Sequence, residues 1–357
     1  MNKSRVHRAP RPLQRNRSES RARQIASSGA LALLAVTIGG CGGWPSHPAG
    51  PQAARIAGEW WLFLCISTAV YVVVMAVLIA ALLHAPRPRA ELETELAPPV
   101  NRRFSYAVGA AVAISVALLF TLLISDFLTG RVVEAFGASN PLVIEVKGRQ
   151  WWWEVSYADP IAGNRFTTAN EIHIPIGRPV ELLLTSADVI HSLWVPELHG
   201  KRDLIPAYGR RLRLQADRAG IYRGQCAEFC GYQHAKMSLL IIAEPEAVFA
   251  AWQNAQRQPA RPPASESETR GQQVFLSTTC VMCHTVQGTP AGGKVAPDLT
   301  HLASRQTIAS GAVPNTPGHL AAWILDPQSI KPGTNMPGNP MSPQDLQALL
   351  AYLRSLT

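Results

Sequence analysis

Hydrophobic and polar positions divide the chain into three regimes. As far as residue 130 the apolar positions come in unbroken blocks. Residues 60–83 and 105–125 hold 24 and 21 positions without a charged side chain. A helix rises about 1.5 Å per residue and bilayer hydrocarbon is about 30 Å thick, so either block is long enough to cross. Trp60, Trp61 and Tyr106 stand near the block ends, where amphipathic rings prefer the interface. Cys65, inside the first block, reads as a small apolar packing residue. Between 141 and 242 the pattern changes to short β-rich runs at 142–146, 151–157, 171–175, 180–184, 211–215, 221–225 and 237–242. Gly, Pro, Asn and Asp separate them. Regular short strands with turn punctuation predict a β-sandwich or barrel. Helical spacing returns at 245–256, at 269–277 and at 342–356, where Ser342 is placed to cap the last helix. Residues 260–270 are polar and Pro-rich and read as a linker.

Charge changes the picture mainly at the start. The 357-residue chain has a formal net charge of +9 and only 16% charged residues. Residues 1–24 hold eight Lys and Arg against Glu19, so all but about +2 of that charge sits in a short head. This excludes a basic nucleic-acid-binding face elsewhere. A basic head, an apolar stretch at 25–40 and small residues at its exit form a secretory signal over 1–40. Ile38-Gly39-Gly40-Cys41 resembles a lipoprotein signal, in which Cys41 becomes the lipidated terminus. The segment joining the two blocks carries Arg87, Arg89, Arg102 and Arg103, and positive loops stay in the cytoplasm. A two-helix hairpin over 55–130 therefore places all that follows outside.

Two clusters carry chemistry. Cys226-Ala227-Glu228-Phe229-Cys230-Gly231-Tyr232-Gln233-His234-Ala235-Lys236-Met237 holds two thiols, an imidazole and a thioether, and His191 lies upstream in His191-Ser192-Leu193-Trp194-Val195-Pro196. Soft sulfur and imidazole donors select copper or zinc, and a thioether serves copper. A single blue copper needs one Cys, so the second allows both sulfurs to bridge two ions. A plain Cys226–Cys230 disulfide is the competing reading in an oxidising compartment. The second cluster is Cys280-Val281-Met282-Cys283-His284, the attachment signature of a c-type haem, with the His as axial ligand. A Met as the second axial ligand leaves no open position on the iron. Met336, in the stiff loop Lys331-Pro332-Gly333-Thr334-Asn335-Met336-Pro337, is the expected ligand and Met341 the alternative.

The spacing Cys-x3-Cys-x3-His-x2-Met, with the upstream His-Ser-x-Trp-Val-Pro, resembles the copper A site of cytochrome c oxidase subunit II. The haem motif, Ala296-Pro297-Asp298-Leu299 and the Met336 loop resemble class I cytochromes c. Together they resemble subunit II of a caa-type oxidase, with cytochrome c fused to the copper domain. The resemblance implies a multi-domain membrane protein: two transmembrane helices, a cupredoxin-like β-sandwich at 138–245, a helix and linker at 246–266, and an all-α class I cytochrome c domain at 267–357. By motif, Cys226 and Cys230 bridge two coppers, His191 and His234 each bind one, and Met237 is a weak ligand. Glu228 ligates copper through its backbone carbonyl, and its carboxylate helps hold magnesium against subunit I. Trp151, in Lys147-Gly148-Arg149-Gln150-Trp151-Trp152-Trp153-Glu154, is the residue at which electrons arrive. Cys280 and Cys283 bind haem c covalently, with His284 and Met336 on the iron.

The implied activity is that of cytochrome c oxidase. Electrons pass from a soluble or membrane cytochrome c through the fused haem and copper A to subunit I. There O2 is reduced to water with proton translocation, and subunit III is a further partner. The implied location is the bacterial plasma membrane, with both metal domains outside. In Ile205-Pro206-Ala207 the family's usual Gly is replaced by Ala207, which changes that turn. The nearest alternatives are a copper A subunit of a nitric oxide reductase and, from another class, a periplasmic copper-delivery protein. Glu228 replaces the Trp of the nitrous oxide reductase copper loop and disfavours that enzyme, and a quinol oxidase subunit lacks these copper ligands.

Overall fold

The computed structural model describes residues 47–84, 101–136, 140–159 and 161–357. The signal segment with Cys41, and Arg87 and Arg89 of the inter-helix loop, lie outside them. Two helices of 34 residues each, α1 (Pro51–His84) and α2 (Arg102–Ala135), contain the two apolar blocks and run past them at both ends. Asn101 caps α2 by accepting the Arg103 N–H at 3.1 Å. Large apolar side chains stand exposed along both helices, including Val73, Leu82, Leu119 and Leu123, which suits lipid contact. Glu59 lies just before the first apolar block where the helices meet, and Ser125 and Thr129 of α2 donate to its Oε2 at 2.9 and 3.0 Å.

The extra length at the helix ends is anchored in the β-domain. Ala49 donates to Glu197 O at 2.7 Å and accepts from Asp217 N at 2.8 Å, and Arg218 donates to Pro48 O at 3.0 Å. A Cβ on Gly50 would lie 2.0 Å from Gln215 O, so only glycine permits this approach. At the far end of α2, Glu134 pairs with Arg202.

The β-domain is a sandwich of two five-stranded sheets, ordered β3-β2-β1-β5-β8 and β4-β10-β9-β6-β7. The strands of the first are β1 (Leu142–Arg149), β2 (Trp152–Tyr157), β3 (Phe166–Ala169), β5 (Val180–Ser186) and β8 (Arg210–Leu214). Those of the second are β4 (Glu171–Pro175), β6 (His191–Trp194), β7 (Arg202–Leu204), β9 (Gly220–Cys226) and β10 (Ser238–Glu244). The pairs β1/β5 and β4/β10 are parallel and the others antiparallel. Period-two alternation turns Ile144, Val146, Val155, Leu182, Leu184 and Tyr222 inward to form the core. The strands β3, β6 and β7 have no counterpart among the runs predicted from sequence; each is only three or four residues long.

α3 (Glu246–Gln256) closes one end of the sandwich, burying Phe249 and stacking Trp252 on His173 at 3.9 Å between ring centroids. The next helix, α4 (Glu266–Ser277), begins earlier than the sequence pattern suggests. The polar stretch read as linker to 270 contains a capping box: Ser265 Oγ accepts the Glu268 N–H at 3.1 Å, and Glu268 accepts the Ala264 N–H at 2.7 Å. The C-terminal domain then adds α5 (Cys280–Cys283), a short pair β11 (Thr307–Ile308) and β12 (Val313–Pro314), α6 (Pro317–Leu325), α7 (Pro327–Ile330) and α8 (Pro343–Ser355). Ser342 caps α8 through the Asp345 N–H. α4 and α8 cross at Gly271, where a Cβ would meet Ala348 O at 1.9 Å. Around this crossing Phe275, Leu349, Tyr352 and Leu353 form a second core.

Candidate metal centres

Sheet register assembles the sulfur-rich site. β6 pairs with β9 at Leu193↔Cys226, which sets His191, at the start of β6, beside the cysteine that ends β9. The loop 227–237 then returns on itself: Cys226 N donates to Met237 O at 2.9 Å and Ala227 N to Ser192 O at 2.8 Å. Gly231 turns the loop at φ +108°, in the left-handed region that glycine enters freely. Five donor atoms converge. The Cys226 and Cys230 sulfurs are 3.7 Å apart, Cys226 Sγ is 3.9 Å from His191 Nδ1, and Cys230 Sγ is 3.6 Å from His234 Nδ1 and 3.9 Å from Met237 Sδ. Glu228 O lies 3.2 Å from Cys226 Sγ. A disulfide needs about 2.05 Å, so these are two thiols and the disulfide reading fails on geometry.

Water is largely excluded: His191, Cys226, Cys230 and Met237 are all buried. The hydrogen bond with Cys230 favours the Cys226 thiolate and lowers its pKa, while the same contact pushes Cys230 up. Burial pulls His191 down, but hydrogen bonds to Cys226 and Asp188 outweigh it and raise its pKa. Asp188 Oδ1 is 2.8 Å from His191 Nε2, which leaves Nδ1 facing the sulfurs. A carboxylate holding the far ring nitrogen is a recurrent support for a metal-binding imidazole. Two thiols in contact with each other, each touching an imidazole and one also touching a thioether, are a donor set for soft metal ions, and copper fits it.

The Trp-rich segment lies along this loop. Trp153 is fully buried and its strand neighbour Trp152 is half-buried, as strand alternation requires, while Trp151, in the turn before β2, is half-buried too. Trp151 Nε1 and Gln150 Nε2 both donate to Cys230 O at 2.8 Å. A Cβ on Gly148 would lie 2.7 Å from His191 Cδ2, so glycine there makes room for the imidazole.

In the C-terminal domain Cys280 and Cys283 are free thiols on one helical turn. His284 Nδ1 is 2.7 Å from Pro297 O, which fixes the tautomer and leaves Nε2 as the available donor. Burial lowers the pKa of His284, chiefly by desolvation, and keeps it neutral as a metal ligand must be. Around the core Leu276, Val281, Leu299 and Trp323 are only partly covered. This half-open apolar wall beside two thiols suits a flat apolar prosthetic group bound by thioethers. Met341 packs on the domain core, whereas Met336 stands on the Pro/Gly loop outside it.

Asp188, Gly148, Gln150 and the Pro297 carbonyl are supporting groups that sequence reasoning did not single out. A second missed feature joins the domains. Lys331, only 2% exposed, donates to Trp151 O at 2.6 Å and to Ala309 O at 3.2 Å. Burial pushes its pKa down to about 7, partly offset by Cys230.

Comparison with known proteins agrees with this layout. Residues 162–244 match the family of the cytochrome c oxidase subunit II periplasmic domain, and residues 268–357 match cytochrome c. Cytochrome c oxidase subunit 2 of Alkalihalophilus pseudofirmus is 34% identical over 337 residues, covering 91% of this chain and 95% of that one. The subunit 2 of Bacillus sp. PS3 is 30% identical over 228 residues, covering 61% of this chain and 63% of that one. Among solved structures, the periplasmic domain of cytochrome oxidase subunit II from Bradyrhizobium japonicum is 29% identical with a TM-score of 0.31, covering 32% of this chain and 93% of that one. The chain belongs to the cytochrome c oxidase subunit 2 family, with a cytochrome c domain fused at its C-terminus.

Proposed function

We propose that this subunit receives electrons at its C-terminal haem and passes them through a dinuclear copper A centre to subunit I, the site of oxygen reduction and proton translocation. The observation that carries this reading is the convergence of two thiols, two imidazoles and a thioether in one buried loop. Cys226 and Cys230 would hold both coppers, His191 and His234 would each hold one, and Met237 and the Glu228 carbonyl would complete the set. Cys280 and Cys283 would attach the haem, and His284 and Met336 would hold its iron. When bound, both centres exchange single electrons without exchanging atoms.

The chain's own residues supply orientation and dryness. Asp188 holds the His191 ring through Nε2, and Pro297 holds His284 through Nδ1. Neither imidazole can rotate without losing a hydrogen bond, which keeps reorganisation on electron transfer small. Trp151 would receive the electron, and its indole is hydrogen-bonded to the backbone of Cys230. The Glu228 carboxylate would bind magnesium against subunit I. A cytochrome c donor and subunit III complete the assembly, in a bacterial plasma membrane with both metal domains on the outer side.

The test is purification of the full-length chain with its partners, followed by copper and haem quantification and paramagnetic resonance. Two coppers and one covalently held haem per chain, with a mixed-valence copper signal, are expected. A single isolated copper ion, or a haem extractable by acidified organic solvent, would overturn the reading.

A further inference from the structure

The sequence shows only a linker between the haem domain and the copper domain; the structure seats one on the other along a hydrogen-bonded seam. At one end Glu171 of β4, buried, accepts the N–H groups of Gln306 at 2.7 Å and Thr307 at 3.2 Å. In the middle Ser238 and Ser310 exchange bonds: Ser238 Oγ donates to Ser310 O at 3.0 Å and Ser310 Oγ to Ser238 O at 2.8 Å. At the other end, beside the copper loop, Lys236 donates to Ile330 O at 2.5 Å and Gln233 donates to Pro332 O. Ser238 and Ser310 are buried, so much of the seam is dry.

Lys331 is the unusual member of this seam. It is a buried amine whose hydrogen-bond acceptors are two backbone carbonyls rather than a carboxylate. Burying a charge without an ionic partner is costly, and an apolar residue of the same volume would stabilise a mere packing contact better. Its acceptors explain its place. One is Trp151 O, 180 positions away in sequence, and Trp151 is bonded in turn to the carbonyl of Cys230. The other, Ala309 O, belongs to the haem domain's own turn next to Ser310. Lys331 is also the first residue of the loop that carries Met336. One amine therefore ties together the Met336 loop, the seam turn and the Trp151 backbone.

We propose that Lys331 is a positioning residue for electron transfer between the fused domains, locking the Met336 loop against Trp151 so that the haem domain works from a docked state. The proposal rests on the functional reading above. The step it serves moves one electron: ferrous haem is oxidised to ferric, the oxidised copper pair is reduced by that electron, and no bond is made or broken. A docked domain transfers without a diffusive search, and it covers Trp151 against a free donor.

The test compares the wild-type full-length oxidase with Lys331→Met and, as a second variant away from the metal loops, Glu171→Gln. The haem is photoreduced with a ruthenium bipyridyl complex, and reduction of the copper pair is timed in buffers of rising viscosity. Amide hydrogen exchange is followed in parallel at Ser238, Gln306 and Thr307. In the wild type, transfer should be independent of viscosity and the three amides protected. In Lys331→Met transfer should slow by about tenfold or more, since misplacement of about 1 Å is enough for such losses. It should also become viscosity-dependent, and the seam amides should exchange faster while both metal spectra stay unchanged. Glu171→Gln should deprotect Gln306 and Thr307 with a smaller change in rate. Unchanged transfer and protection in Lys331→Met, or viscosity-limited transfer in the wild type, overturns the proposal. Absence of the copper and haem signals from the wild type overturns the functional reading instead.

Discussion

Replacing Gly148 by Ala tests how tightly the copper loop depends on the sheet beneath it. The new Cβ would sit 2.7 Å from His191 Cδ2 and 3.0 Å from Cγ, about 0.7 Å inside the 3.4 Å at which ordinary contact begins. The imidazole has little room to retreat. Its Nε2 is tied to Asp188 at 2.8 Å, and the buried Trp153 ring lies 6.1 Å away between centroids. Loss of backbone freedom in the unfolded chain would favour Ala by roughly 0.4–1 kcal/mol. Overpacking of a buried site costs about 1–3 kcal/mol, so the unfavourable effect wins. The displacement also exceeds the ~0.2 Å by which metal–ligand distances vary, so His191 Nδ1 would no longer meet a copper at bonding distance. Copper affinity should fall by about 10–100-fold, the range for losing support around a metal ligand. The assay is the copper-to-protein ratio and the paramagnetic resonance spectrum of full-length chain, with the haem c band as internal standard. Gly200→Ala is the control, because its Cβ meets only Ile56 Cδ1, at 3.5 Å. A Gly148→Ala protein with full copper and an unaltered spectrum would refute the argument that this glycine clears the ligand's space.

Two further outcomes follow from packing and titration. Gly271→Ala should unfold the haem domain, because the clash is with the backbone of Ala348 at 1.9 Å and no side chain can move aside. The loss should exceed about 3 kcal/mol and be read as a vanishing c-type band, with copper retained. His173 is half-buried between Trp252 and Glu244, and desolvation lowers its pKa despite the pull of Glu244. Its contribution to stability is therefore complete above pH 6.5, where the unfolded chain is also neutral, and is lost as the pH falls through the lower folded value. The thermal midpoint of the wild type should decline more steeply from pH 7 to 5 than that of His173→Gln; parallel slopes would exclude His173 as the cause.

The copper and haem motifs were legible because their chemistry is local. Cys226 to Met237 is one loop and Cys280 to His284 one turn, and no tertiary structure is needed to see that either gathers ligands. His191 was legible only through its neighbours; the strand that carries it, β6, is four residues long and gives no periodic signal of its own. The groups that orient the ligands were not legible. Asp188 precedes His191 by three residues, but nothing in the pattern Ser186-Ala187-Asp188 separates an orienting carboxylate from a turn former. The seam was hidden for a stronger reason. Pro-rich polarity at 260–270 reads as a linker, and the bonds that seat the haem domain join residues 72 to 180 positions apart. Sequence pattern reports which surface a helix or strand buries against its neighbours, not where one finished domain rests upon another.

The stitching of residues 48–50 into the β-domain, with Glu134 gripping Arg202 at the far end of α2, ties the lipid-facing hairpin at both of these described ends to the domain that carries the sulfur pair. Each 34-residue helix is about 51 Å long against about 30 Å of hydrocarbon, and the surplus works as a braced mast. The altitude of the redox loop over the membrane is thereby set by covalent rise per residue rather than by a fluctuating tether. A catalytic partner standing in the same bilayer meets it at a constant height, and any tilt of the hairpin carries the whole ectodomain with it.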